Sequence, residues 1–393
     1  MSDTFQSGVI SLVRSALYGG NAVIPDGFDW QKTLKLAKEH QIQALIYHGT
    51  VNSGTEMPSQ IKTALETSAF KSLALDRNQV YTIGKLLDAF QENGIDHLPL
   101  KGTVLKSMYP KSEFRSMSDA DILIKPEQYG AIAPIMQKFG YVNTGESDHE
   151  YIWQKENVLT VELHKRLIPS YNRDYYAYYG DGWRLARKID GNRYGMSDED
   201  QLIYLFTHFA KHYRDGGIGI RHFTDLYIYL SAKPDMDTAY IGRELKKPSL
   251  DVFYQNVRDT LRAWFEDAPE SEITGFITAR IFSSGSYGTQ TDKVLSSAVK
   301  EESALTNRKN ARARRILRVV FPSYALMADS FPSLKRFPFL LPAFWAVRWF
   351  RALLFRRENI VRVKTELDIA SAKRTETYHE ELHFVGLDFN FKE

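Results

Sequence analysis

The chain has 393 residues, 43% hydrophobic and 25% charged, and its 51 basic and 48 acidic residues leave a formal net charge of only +3. This composition is typical of a folded globular protein, and the near balance of charge excludes a histone-like nucleic-acid binder. The sequence contains no cysteine, which excludes disulfides, thiolate zinc sites, iron–sulfur clusters and a cysteine nucleophile. Any bound metal would be held by carboxylates or imidazoles.

The N-terminal part of the chain predicts helices. Between about residues 5 and 90, apolar residues recur at spacings of three and four, as in Ile83, Leu87 and Phe90, and Asn93-Gly94 ends this pattern. The first twenty residues contain no apolar core of signal-peptide length, so we expect a cytoplasmic protein.

Short strands and helices follow residue 94, which predicts an α+β core. The patterns predict two strands, a short helix, a longer helix and a hairpin. In chain order these segments are a strand over 95–100, a helix over 103–108, a strand over 120–124, a helix over 126–139, and a hairpin of 150–154 with 158–163.

Two carboxylates lie at the start of the second predicted strand. Asp119 and Asp121 are two residues apart, so in a strand both side chains point to the same face. Carboxylates held this close repel each other unless a cation lies between them. A hard divalent cation such as Mg²⁺ would relieve the repulsion, although a bare Asp-x-Asp is more often part of a solvated turn.

Basic and small residues precede this pair. Lys101-Gly102-Thr103 joins the first predicted strand to the short helix, where glycine allows close approach and free N–H groups at a helix start suit a phosphate. Lys101 and Arg115 could neutralise further phosphate charge. The turn therefore predicts a phosphate-binding site.

A third acid, Glu162, lies on the second strand of the predicted hairpin. In that strand Thr160, Glu162 and His164 share one face, because alternate residues point the same way. If the hairpin packs beside the Asp119–Asp121 strand, Glu162 becomes a third metal-directed carboxylate. The alternative, which alternation alone favours, is a solvated strand face.

Taken in order, these motifs resemble the uncharacterised nucleotidyltransferase family of the polymerase-β-like superfamily. The similarity spans roughly residues 30–355. The matching residues are Lys101-Gly102, Tyr109-Pro110, Arg115, Asp119-x-Asp121, Val161-Glu162-Leu163-His164, His208, His212, Arg221, Asp225, Phe321-Pro322-Ser323, Leu341-Pro342-Ala343-Phe344-Trp345 and Arg348.

The resemblance implies a minimal nucleotidyltransferase core, a small mixed sheet with helices, flanked by N- and C-terminal helical regions. It implies that Asp119, Asp121 and Glu162 bind two Mg²⁺ ions, with Mn²⁺ as a substitute, and that Gly102 belongs to the turn that holds the phosphates of an NTP such as ATP. The superfamily usually has Gly-Ser at this turn. Here Lys101, Thr103 and Arg115 would take over from the serine.

A second group of polar residues follows on predicted helices. Ser197, with Asp200 three residues later, resembles a helix N-cap, and His208 and His212 lie one turn apart in that helix. The two histidines could line the nucleotide cleft, or His212 and Asp225 could form a buried pair. A zinc site with Asp225 as third ligand, and hence a zinc hydrolase, is a further alternative.

The C-terminal part is strongly basic. Residues 308–357 contain twelve Lys or Arg and one acid, a net charge of +11, which leaves −8 for the rest of the chain. Six basic residues fall within 308–318, and Trp345, Trp349 and Phe350 alternate with Arg348 and Arg351. This pattern suits a solvated face over an aromatic core, an anionic membrane surface or, less well, nucleic acid. The six are Arg308, Lys309, Arg312, Arg314, Arg315 and Arg318.

We therefore predict a Mg²⁺-dependent nucleotidyltransferase that transfers an NMP from an NTP to an unidentified hydroxyl acceptor and releases pyrophosphate. The alternative is a non-catalytic scaffold of the same fold that docks to a membrane surface or a partner through its basic C-terminal region. The predicted organisation is a helical region over 1–92, a nucleotidyltransferase core over 93–185, a helical domain closing the cleft over 186–305, and a basic aromatic region over 306–393.

Overall fold

The computed structural model describes residues 3–156, 158–285, 288–303, 317, 320–324, 327–328, 331–355, 369 and 371–388. The helices are α1 Thr4–Tyr18, α2 Trp30–Glu39, α3 Gln43–Ser53, α4 Ser59–Glu92, α5 Gly102–Leu105, α6 Tyr129–Lys138, α7 Arg173–Tyr179, α8 Asp198–Asp215, α9 Ile220–Ala232, α10 Thr238–Lys246, α11 Asp251–Phe265, α12 Glu272–Ser284, α13 Gln290–Ser303, α14 Leu341–Phe355 and α15 Ala372–Phe384. The strands are β1 His97–Pro99, β2 Asp119–Ile124, β3 Val142–Glu146, β4 Glu150–Gln154, β5 Thr160–His164, β6 Arg187–Asp190 and β7 Arg193–Gly195.

Strands β1 to β7 form one mixed sheet, in the order β3-β4-β5-β2-β1-β7-β6. Strand β2 pairs with β1 in antiparallel fashion and with β5 in parallel fashion. The predicted hairpin is confirmed as the antiparallel pair β4–β5. The predicted α+β class is also confirmed, although the sequence patterns did not predict β3, β6 or β7.

Helices α4 and α6 cover one face of the sheet. Ala120, Ile122 and Ile124 of β2 point to this face and pack with Phe90 of α4 and Met136 of α6 in a buried core. Because side chains alternate along a strand, Asp119 and Asp121 point to the opposite face. The apolar alternation of β2 thus determines on which side the carboxylates lie.

Helices α8 and α9 supply polar side chains to the carboxylate side. The predicted N-cap of α8 is confirmed, since the Ser197 hydroxyl accepts a hydrogen bond of 3.1 Å from the Asp200 amide. Three acids in the first turn, Asp198, Glu199 and Asp200, further favour the start of the helix.

The chain divides into two compact units. The first comprises residues 1–213, 217–288 and 385–392, and the second comprises 214–216, 289–384 and 393. In the second unit, buried Met327, Ala328 and Leu334 pack with Phe344 and Trp345 of α14. The four-part division predicted from the sequence stays a prediction.

No helix within the described ranges is long and apolar enough to span a membrane. The most aromatic of them, α14, has 15 residues, against the roughly 20 that a bilayer requires.

Helices α1 and α3 pack closely against each other at Gly49 of α3. The Ser15 hydroxyl donates to the Gly49 carbonyl oxygen at 3.0 Å, and a Cβ at position 49 would collide with the Leu12 carbonyl oxygen. We expect Gly49→Ala to lower the free energy of unfolding by about 1–3 kcal/mol, because the helices must move apart.

Gly84 in α4 provides the matched control for this substitution. A Cβ there meets no atom within 4 Å, so Gly84→Ala should stabilise the protein by up to about 1 kcal/mol through helix propensity. Urea unfolding of the two variants measures both effects. Equal changes in both variants would contradict the close helix crossing.

Candidate active site

Three acidic side chains meet where β2 and β5 run side by side. In the parallel register Asp121 lies opposite Glu162, and Asp119 lies opposite Thr160. A carboxylate oxygen of Asp121, one of Glu162 and a ring nitrogen of His164 all lie within 4.8 Å of one another. Burial, together with the neighbouring Asp121 carboxylate, raises the pKa of Asp119. The predicted carboxylates are therefore close together, and their role as metal ligands stays a proposal.

Two side-chain nitrogen atoms already contact Asp121. Its Oδ1 atom lies 2.6 Å from Lys101 Nζ and 2.8 Å from His164 Nε2. Burial opposes ionisation of this carboxyl, but the Lys101 charge and the His164 hydrogen bond outweigh burial and hold the pKa of Asp121 well below its usual range. Burial likewise disfavours a charged His164, yet its hydrogen bonds to Asp121 and Glu162 raise the pKa of that ring.

The turn at Lys101–Thr103 differs from the expected phosphate loop. The amides of Thr103 and Val104 donate to the carbonyl oxygens of Leu100 and Lys101, both at 3.1 Å, so they are not free for a phosphate. Lys101 itself adopts a φ of +44°, which an L-residue rarely does. Helix α5 is a single turn and has little dipole to offer an anion.

Gly102 is needed for a reason other than phosphate approach. A Cβ at this position would collide with the Arg115 guanidinium, which lies directly over the glycine. The guanidinium is buried and makes a bidentate ion pair with Asp225, with Arg115 Nε 3.3 Å and Nη2 3.1 Å from the two carboxylate oxygens. Tyr109 donates its hydroxyl proton to the same Asp225 at 2.7 Å.

The contacts of Asp225 bear on two interpretations from the sequence, the buried pair with His212 and the zinc site. The alternative of a buried His212–Asp225 pair is not what the structure shows, because the Asp225 carboxylate contacts Arg115 and Tyr109 while His212 contacts His208. In the part of the chain that the structure describes, the groups with three metal-binding side chains include neither His208, His212 nor Asp225. The geometry therefore gives no support to a zinc hydrolase built on these residues.

The two histidines of α8 form part of the wall that faces the acids. His208 Nε2 and His212 Nε2 are 3.1 Å apart. Burial, followed by nearby positive charges, lowers the pKa of both rings well below the usual histidine value, and burial does the same for His222 of α9. The wall thus presents neutral imidazoles, which can exchange hydrogen bonds but contribute no net charge.

The acids and the histidine wall enclose a pocket of about 390 Å³. Seven of the nine predicted site residues line it, whereas Gly102 and Thr103 do not. The seven are Lys101, Arg115, Asp119, Asp121, Glu162, His208 and His212.

Sequence reasoning missed part of this pocket. His149 and Glu150 line it beside His164, and His164 was placed on the acidic face without a role. Glu150 lies directly opposite His164 in the β4–β5 hairpin. The predicted loop of Lys155-Glu156-Asn157 would have placed Glu150 opposite Glu162, whereas Gln154 pairs with Thr160 in the structure, and this shift of two residues brings Glu150 opposite His164.

Comparison with known protein families identifies the family of the part of the chain that carries this pocket. The family model described as "Uncharacterised nucleotidyltransferase" matches residues 26–266, more than half of the chain. The chain belongs to this family. No curated protein and no solved structure shows a significant match.

The match to the uncharacterised nucleotidyltransferases contains all nine predicted site residues and ends before the basic C-terminal region. The motifs at Phe321-Pro322-Ser323 and over 341–348, which the sequence resemblance included, therefore lie outside the matched range. Nucleotidyl transfer as a general activity is supported for the part of the chain that carries the sheet and the pocket.

Removing one partner of the buried Arg115–Asp225 ion pair should strongly destabilise the protein. Both side chains are buried, so Asp225→Ala leaves an unpaired guanidinium and should lower the free energy of unfolding by about 3–5 kcal/mol. The matched control is Asp88→Ala, which breaks an exposed pair with Lys85 in α4 and should cost about 1 kcal/mol or less.

Urea unfolding of both alanine variants measures the difference. A double variant, Arg115→Met with Asp225→Leu, should regain part of the loss, because no charge is then left unpaired. Equal costs for Asp225→Ala and Asp88→Ala would contradict a buried pair.

Proposed function

We propose that this nucleotidyltransferase transfers a nucleoside monophosphate from an NTP to a hydroxyl-bearing acceptor. In this reaction the acceptor oxygen bonds to the α-phosphorus, the bond from that phosphorus to the oxygen bridging the β-phosphate breaks, and pyrophosphate leaves with the electron pair. The acceptor proton passes to a basic group or to water. The observation that carries the proposal is the meeting of Asp119, Asp121 and Glu162 in one pocket.

The donor chemistry of the acids fits a hard divalent cation. Carboxylate oxygens are the preferred ligands of Mg²⁺ and suit Mn²⁺ as well. Burial and the adjacent Asp121 carboxylate raise the pKa of Asp119, as expected of a carboxyl group placed next to another acid. When bound, one or two such ions would supply Lewis-acid activation of the acceptor and of the phosphoryl oxygens.

We assign the acids and Lys101 separate tasks. Asp119 and Asp121 would hold the metal ions, and Glu162 would complete one site. Because Oδ1 of Asp121 contacts both Lys101 and His164, an ion can bind this oxygen only if one of them releases it. A released Lys101 ammonium would remain beside the triphosphate, whose negative charge attracts it.

Gly102, Thr103 and Arg115 would assist less directly. Arg115 lines the pocket with its charge already paired to Asp225, and Gly102 makes room for its guanidinium. The buried Thr103 hydroxyl has no hydrogen-bond partner among the described residues, and it would reach a phosphate only if the turn moved.

The neutral rings of His208 and His212 would contact the nucleotide or the acceptor through hydrogen bonds. They face the pocket from α8, across from the strands that carry the acids. A neutral imidazole can donate and accept hydrogen bonds. Because it has no net charge, it neither repels a metal ion nor attracts a phosphate.

Replacing the acids tests the proposed reaction. With radiolabelled NTPs and Mg²⁺ or Mn²⁺, the full chain should bind nucleotide and release pyrophosphate. Asp119→Asn, Asp121→Asn and Glu162→Gln should each lower this rate by about 100-fold or more, because each removes charge from the position where metal would bind.

Asp96→Asn is the matched control, since Asp96 pairs with Lys125 and does not line the pocket. It should leave the rate within about twofold of the wild type, as expected of a substitution away from the reacting groups. The proposal fails if no nucleotide binds, or if the pocket variants react as fast as this control.

The second unit favours an additional role, contact with an anionic membrane surface. Phe339 and Phe350 are 75% and 68% exposed, and Arg336 lies over the Phe337 ring. Exposed aromatic side chains beside cations suit the interface of an anionic bilayer. The basic residues 308–316 and Arg318 lie outside the described residues, as does the Arg351 side chain.

Vesicle binding tests this second role. The full chain should sediment with phosphatidylserine-containing vesicles better than with neutral phosphatidylcholine ones, and added salt should weaken the binding. Phe339→Asp with Phe350→Asp should abolish it, because it places two carboxylates against the anionic surface.

Phe70→Asp in α4, at a similarly exposed position in the first unit, is the matched control and should bind as the wild type does. Equal sedimentation with neutral vesicles, or equal loss in the control, would contradict a specific contact through the second unit.

A further inference from the structure

A second group of potential metal ligands lies beside the carboxylates. His149 immediately precedes β4, Glu150 begins β4 and His164 ends β5, where Glu150 and His164 pair directly. Oε2 of Glu150 lies 3.0 Å from His149 Nε2 and 4.0 Å from His164 Nε2. One ligand atom from each residue lies within 4.8 Å of the others.

This group differs chemically from the three acids. Two imidazoles and one carboxylate form a borderline ligand set, which suits Zn²⁺, Co²⁺ or Fe²⁺ better than Mg²⁺. Zinc binds nitrogen at about 2.0–2.1 Å, which separates the donors of a tetrahedral site by about 3.3 Å. The distances of 3.0 and 4.0 Å lie on either side of that separation, so small side-chain movements would close the site around an ion.

The surroundings of His149 resemble those of a metal-binding histidine. Its Nδ1 atom lies 3.1 Å from the Ser147 hydroxyl, while Nε2 faces Glu150. Histidines that bind metal through one ring nitrogen almost always hold the other by a hydrogen bond, which fixes the tautomer and the ring orientation. Ser147 is in position to provide that bond.

His164 provides an independent indication. Its side chain is only 4% exposed. Nε2 is turned toward the carboxylates of Asp121, Glu162 and Glu150, at 2.8, 3.6 and 4.0 Å. A buried ring nitrogen that converges with carboxylate oxygens supplies the mixed donor types that bind Zn²⁺ or Co²⁺.

We propose that His149, Glu150 and His164 bind a divalent transition-metal ion of the Zn²⁺ or Co²⁺ type. This site goes beyond the proposed transferase function, because its ligands are distinct from Asp119, Asp121 and Glu162. Binding of the ion by His164 would take Nε2 away from Asp121 and leave that carboxylate to Lys101 and to other cations.

Cobalt titration of the full chain, without nucleotide and with excess Mg²⁺, tests the site. Mg²⁺ occupies oxygen ligands, so the visible absorption of Co²⁺ should report a nitrogen-containing site that fills with one ion per chain. X-ray absorption of the zinc-loaded wild type should show two imidazole nitrogens. This second measurement does not depend on any variant folding.

Variants assign the ligands. His149→Gln and Glu150→Gln should weaken cobalt binding at least 100-fold, and Ser147→Ala, which keeps all three ligands, should weaken it about 10- to 100-fold. His48→Gln, a half-buried histidine outside the pocket, is the matched control and should bind as the wild type does.

Three results would overturn the proposal: no stoichiometric cobalt binding, binding that survives His149→Gln but not His208→Gln, or a zinc spectrum with oxygen ligands only. Asp119→Asn separates this proposal from the transferase function. It should abolish nucleotidyl transfer and leave cobalt binding intact, so failure of one proposal is visible independently of the other.

Discussion

The crowding of negative charge on one face of the sheet is the constraint on which the site depends. Parallel pairing of β2 with β5 places Asp121 opposite Glu162. The apolar residues that alternate with these acids along the two strands pack in the core on the other face of the sheet. The acids therefore cannot separate without loss of core packing. Lys101 provides a balancing charge within the chain itself, and His164 adds a hydrogen bond to the same carboxylate.

A second buried ion pair connects the sheet side of the pocket to its helical side. Arg115, from the segment before β2, contacts Asp225 of α9, and Tyr109 adds a hydrogen bond to the same carboxylate. A broken pair of this kind would leave a buried charge, so the contact fixes how α9 lies over the acids. The position of the histidine wall depends on it indirectly, since α8 and α9 are consecutive helices.

Much of this arrangement could be predicted from the sequence, because local patterns determine it. Alternation predicted the face shared by Asp119 and Asp121, and the hairpin placed Glu162 on a strand. What the sequence did not reveal were contacts between remote side chains, such as Arg115 with Asp225 or Lys101 with Asp121. Charge type alone suggested that both cations face a phosphate, whereas ion pairing within the fold already engages them.

The backbone of Lys101 has a consequence for how this turn can change in evolution. At a φ of +44° glycine would be less strained than lysine. The lysine at this position therefore carries a conformational cost of order 1–3 kcal/mol. A relative with glycine here would gain a relaxed loop and lose its built-in counter-ion. Such a sequence would need a replacement cation elsewhere on the sheet face. Family members with glycine at this position should therefore carry a new basic residue near the acids.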